Sequence, residues 1–131
     1  MQIIDYEIRD IIVSINGKEY PVAKRNEKTE KALRYRESKL LTSTQYDSDM
    51  ELVRILLGPD AAKELFPGGE DENLDRLHYI AAQIYDAYMA DYRKIEKERQ
   101  EKQLEQIEAL SEKIKPLADL NLDSLSKAKR K

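Results

Sequence analysis

Residues 74–95 read LDRLHYIAAQIYDAYMADYRKI, and the fold turns on them. Leu74, Leu77, Ala81, Ile84 and Tyr88 recur at steps of three and four, which places them along one side of an α-helix. Ile80, Tyr85 and Tyr92 widen that stripe. The pattern predicts a long helix from about Asn73 with one buried face. Glu70, Asp71 and Glu72 stand just ahead of it, where acids favour a helix N-terminus.

Upstream, the same grammar predicts shorter helices. Ser48 and Glu51 have capping-box spacing, so a helix is expected from Ser48 through Leu57. Gly58 suits the position just past its end, and Pro59 suits the first turn of another short helix, Asp60 to Phe66. Pro67-Gly68-Gly69 closes that helix and opens a loop. Residues 27–41 form a further helix with an imperfect apolar face of Ala32, Leu33, Tyr35, Leu40 and Leu41, broken by Thr42-Ser43-Thr44.

Before residue 26 the pattern changes. Ile8, Ile11, Ile12, Val13 and Ile15 are β-branched, and Asn16-Gly17 is the dipeptide that a tight hairpin turn favours. The return arm contains Pro21, which cannot donate to a strand ladder, so it is an edge or ends there. A lone hairpin is marginal in water, so this one, about residues 8–22, packs on the helices or offers its edge to another chain.

Beyond Ile95 the apolar stripe fades. Glu96 to Gln103 has no apolar side chain, and then Leu104, Ile107, Leu110 and Ile114 resume at steps of three or four. Pro116 is expected to stop the helix, and the segment ending KAKRK is expected to be loosely ordered. The fold class that follows is α+β and predominantly helical, an N-terminal β-hairpin packed on a small helical bundle with a long C-terminal helical arm. The expected divisions are a domain at 1–95, a charged amphipathic arm at 96–115 and a flexible basic tail at 116–131.

Composition narrows the function. The chain has 131 residues, 37% of them charged, with net charge −3, no Cys and one His. Disulfides, thiolate metal sites and cysteine nucleophiles are therefore absent, and a single histidine makes no two-histidine metal site. The acidic start MQIIDYEIRD is unlike a secretory signal, and no window has the roughly 18 apolar residues of a membrane span. A soluble cytoplasmic protein is expected.

Enzyme chemistry finds little support. His78 lies beside the buried stripe and reads as a structural histidine; no Ser-His-Asp arrangement is arguable from the spacing. Glu70, Asp71, Glu72 and Asp75 lack the ligand spacing of a calcium loop. Gly68-Gly69 is followed by acids that would repel a phosphate. No catalytic, cofactor-binding or metal-binding residue is assigned.

Interaction surfaces are better represented. Residues 24–39 hold seven bases (Lys24, Arg25, Lys28, Lys31, Arg34, Arg36, Lys39) against three acids. That patch allows a small nucleic-acid-associated regulator as the alternative reading, but a pI near 5.4 opposes it. Tyr85, Tyr88 and Tyr92 share one helical face, and tyrosine is enriched at protein interfaces. Leu104, Ile107, Leu110 and Ile114 on the arm need a cover, which a partner, folding back or weak self-association supplies. These seven are the candidate partner-binding residues.

Residues 51–88, ELVRILLGPDAAKELFPGGEDENLDRLHYIAAQIYDAY, resemble the tail assembly chaperones of long-tailed siphoviruses and related prophages. Leu56, Leu57, Gly58, Ala61, Ala62, Leu65, Phe66, Leu74, Leu77, Ile80 and Ile84 carry the likeness, with the INGKEY hairpin before them. It covers about residues 8–95. The resemblance implies a non-enzymatic protein of the host cytoplasm, absent from the mature virion, that binds the tape measure protein and keeps it soluble during tail assembly. It also implies contact with the tail tube protein through a frameshift-extended form. It implies no cofactor.

Overall fold

A computed structural model describes the backbone of residues 1–129 and the side chains of residues 1–113. The elements in order are β1 (Ile12–Ile15), β2 (Lys18–Pro21), α1 (Glu27–Ser38), α2 (Gln45–Leu57), α3 (Pro59–Leu65), a 3₁₀ turn (Gly69–Asp71) and α4 (Leu74–Lys129). The fold is α+β and mostly helical. Two units arise, Met1–Ala90 and Asp91–Lys131.

The hairpin forms where Asn16-Gly17 predicts it. Asn16 and Gly17 take φ of 53° and 80°, the paired positive values that join two strands by a two-residue turn. β1 and β2 are antiparallel, with Val13 opposite Tyr20 and Ile12 opposite Pro21. The strands are shorter than expected, because residues 1–10 lie exposed and no regular structure precedes Ile12. A bond from Val22 N–H to Ile11 C=O (2.8 Å) extends the pairing, and Ala23 N–H donates to Leu56 C=O (2.7 Å), tying the hairpin to α2. Tyr20 and Val22 enter the core, with Ile11, Val13 and Ile15 packed against it.

α1 starts at Asn26, whose side-chain oxygen accepts from Thr29 N–H at 3.0 Å. It ends at Ser38, earlier than Leu41. The Ser38 hydroxyl donates to Tyr35 C=O (2.6 Å) and the Thr42 hydroxyl to Lys39 C=O (3.2 Å), so side chains take carbonyls that further helical turns would need. Leu33 is the buried residue of α1, whereas Tyr35 and Leu41 are exposed. The expected apolar face is thus narrower than its sequence.

α2 corrects the capping expectation. Its N-cap is Thr44, whose hydroxyl accepts from Asp47 N–H at 3.1 Å, and Ser48 lies one turn inside the helix. Ser48 is buried and serves a tertiary contact instead. Met50, Leu52, Val53 and Leu56 fill the core. Gly58 then takes φ 92°, ψ 159°, a conformation strained for any residue with a Cβ, which lets α2 stop and Pro59 open α3 at once.

In α4, Asn73 caps the first turn, its side chain accepting from Arg76 N–H at 3.0 Å. Leu77, Ala81, Ile84 and Tyr88 are buried, as the stripe predicts. Leu74 is not: it is 43% exposed, because the first turn of α4 lies at the margin of the core. Pro116 does not end the helix, which runs to Lys129. A proline removes one N–H from the ladder, and the Leu-, Ala- and Lys-rich flanks carry the helix past it. Among the described residues no helix is long and apolar enough to cross a membrane.

Candidate partner-binding groove

In the first unit, α1, α2 and α4 leave an open groove of about 400 Å³. Leu33, Leu40, Leu52, Ala82 and Tyr85 supply its apolar surface; Arg36, Glu37, Asp49 and His78 stand around it. Leu40 is 47% exposed, and Leu41 just beyond it is wholly exposed. An apolar trough beside uncovered leucines, rimmed by charges of both signs, suits the apolar face of an amphipathic helix.

Three contacts hold this surface in shape. Arg36 reaches from α1 to α2, donating through Nε to Ser48 C=O (2.7 Å) and through Nη2 to the Ser48 hydroxyl (2.9 Å). Lys39 pairs with Glu51 at 3.2 Å along the same helix pair. Between α2 and α4, Asp49 Oδ2 lies 3.1 Å from His78 Nδ1. The Asp49 side chain is almost fully buried and that of His78 mostly exposed. His78 therefore satisfies a buried carboxylate at the groove wall. Ser48, Asp49 and His78 thus tie α2 to α1 and α4.

Asp49 was not singled out in the sequence, although a signal exists. It falls in register with Leu52, Val53 and Leu56, at spacings of three, four and seven, so an acid sits on the buried face of α2. Such an acid needs a partner from another element, and His78 is that partner.

The candidate tyrosines separate. Tyr88 is 1% exposed and belongs to the core, as its place on the Leu77–Ile84 stripe predicts, and not to an open surface. Its hydroxyl donates to Glu30 Oε1 at 2.9 Å, and Arg25 Nε pairs with the same carboxylate at 2.9 Å. Burial, with Glu30 close by, holds the phenol well above the usual tyrosine range. Tyr85 is half-buried at the groove, its ring centroid 6.3 Å from that of Tyr88. Tyr92 belongs to the second unit and is 37% exposed. There Leu104, Ile107 and Leu110 are each more than half exposed. Ile114 lies outside the described side chains.

The basic patch is largely occupied. Lys24 pairs with Asp10, Arg25 with Glu30, Arg34 with Glu27 and Lys39 with Glu51, while Arg36 is bound to Ser48. Five of its seven bases thus hold the protein's own groups. Comparison of the chain with protein-family models, curated proteins and solved structures gave no match.

Proposed function

We propose that this protein is a non-enzymatic assembly chaperone that receives an amphipathic helix of its client in the α1–α2–α4 groove. The observation that carries the reading is the open apolar groove beside exposed Leu40 and Leu41, in a chain whose 37% charged residues keep the complex in solution. A helical client lays residues at i, i+3, i+4 and i+7 into such a trough, and its own polar face stays in water. The exposed row Leu104, Ile107 and Leu110 offers a second helical surface of the same kind.

The resemblance to siphovirus tail assembly chaperones names the client as the tape measure protein, a long helical chain that must stay soluble in the host cytoplasm until the tail tube encloses it. Nucleic-acid binding is the weaker reading, since most of the basic patch is committed to internal partners. Co-expression tests the proposal. A tape measure fragment should remain in the soluble fraction with the wild-type chain and pellet with Leu40→Asp plus Ala82→Arg. Equal solubility with both, or none with either, would count against the groove.

A further inference from the structure

A second groove lies on the other side of the core. Val13, Ser14, Ile15 and Asn16 form one wall, and Tyr79, Ile80 and Ala87 of α4 contribute to the other, enclosing about 640 Å³. Successive residues of a strand point to opposite faces, so a wall made of four consecutive residues presents the strand's backbone edge. β1 pairs with β2 on one side only. The groove is thus an unpaired strand edge beside a helix surface on which Tyr79, Ile80 and Ala87 lie among Arg76 and Gln83. At about 100° per residue, its α4 residues and those of the helix-binding groove flank the Leu77–Tyr88 stripe on opposite sides.

Just upstream of that edge runs Ile3-Ile4-Asp5-Tyr6-Glu7-Ile8-Arg9. From Ile4 onward, apolar and charged side chains alternate with the period of a half-buried strand. Yet Ile3, Ile4, Tyr6 and Ile8 are 77%, 82%, 64% and 74% exposed. This segment does not fold back onto its own β1 in the structure. A two-residue turn back onto the free edge would fall on Arg9-Asp10, just ahead of the Ile11–Val22 bond. Such a turn needs positive φ, and Asn16 is the only non-glycine with positive φ among the described residues.

We infer that residues 3–8 of one copy add as a strand to the β1 edge of a second copy, with Ile4, Tyr6 and Ile8 entering its groove, and that the second copy reciprocates. Every copy carries both the segment and the groove, so a two-fold pair satisfies both at once. Three inward side chains, each with roughly 130 Å² to lose, give about 400 Å² per segment. With the groove's own exposed lining and both directions counted, the exchange removes about 1,100 Å², just above the roughly 1,000 Å² that a specific protein–protein interface needs. A single strand docked one way would remove half as much and fall short of that class. The occupant is therefore a second copy of this chain.

Sedimentation velocity of the full chain over about 1–100 μM tests this. The expected species has twice the 15.3 kDa chain mass. Tyr6→Asp with Ile8→Asp alters only exposed side chains, and so does Tyr79→Asp in the groove. Helical content should stay native in both variants while the dimer dissociation constant rises at least about tenfold. Mixing the two variants should restore a weaker, one-sided pair, since one supplies a sound groove and the other a sound segment. A wild-type chain that stays monomeric throughout, or a dimer untouched by both variants, would overturn the inference.

Discussion

Leu77→Ala should be the costly truncation on α4, and Leu74→Ala the cheap one, although both leucines sit on the same sequence stripe. Leu77 is 0% exposed, in one core with Val53, Leu56 and Ile84, each of which is sealed from solvent. Removing three carbons forfeits about 2.4 kcal/mol of transfer free energy at ~0.8 kcal/mol per methylene. A sealed core collapses little, so a cavity contribution brings the total to about 3–4 kcal/mol, within the span seen for leucine truncations. Leu74 is 43% exposed and should lose less than about 1 kcal/mol. A unit of this size holds only about 5–13 kcal/mol in all. Urea melts followed by near-ultraviolet circular dichroism, which reads the ordered Tyr20 and Tyr88, provide the assay. With a slope of about 1.5 kcal/mol per molar, Leu77→Ala should lower the midpoint by about 2 M and Leu74→Ala by less than about 0.7 M. Equal shifts would refute the assignment of the buried face.

Three further outcomes follow from the contacts. Tyr88 stays protonated in the folded chain above the pH at which an unfolded tyrosine ionises, so the unfolded state binds fewer protons above about pH 10 and stability should fall there by up to about 1.4 kcal/mol per pH unit; Tyr88→Phe should flatten that decline in pH-dependent melts. Arg36→Ala strips the Ser48 carbonyl and hydroxyl of their donor and should cost about 1–3 kcal/mol by urea denaturation, with Arg36→Lys recovering only part. Replacing Leu104, Ile107 and Leu110 together by Ser should move the thermal midpoint by no more than a few degrees, because exposed positions contribute within about 0.5 kcal/mol each.

What could be read in advance was whatever the local backbone decides. Asn16-Gly17 names its own turn through positive φ, Gly58-Pro59 names a helix end and a helix start, and the steps of three and four from Leu77 to Tyr88 need only helical periodicity. What escaped depends on which elements meet. Thr44 and Ser48 are both fit to cap α2; Arg36, arriving from α1, draws Ser48 into a tertiary contact and leaves the cap to Thr44. Leu74 fits the stripe, yet the core does not reach the first turn of α4. The groove itself is assembled from three helices, and its Asp49–His78 link spans 29 residues. The tyrosines show the same limit: one spacing placed Tyr85, Tyr88 and Tyr92 together, while packing sent one to the groove, one to the core and one to the second unit.

The most direct test of the account is calorimetric titration of the purified chain with a soluble helical fragment of the tape measure protein, alongside the chain carrying Leu40→Asp and Ala82→Arg. The account predicts saturable binding by the wild type and at least about a tenfold weaker affinity in the variant, the loss expected when charges enter an apolar helix seat. Binding of equal strength by both chains would contradict it, as would a wild-type chain that gives no heat above dilution.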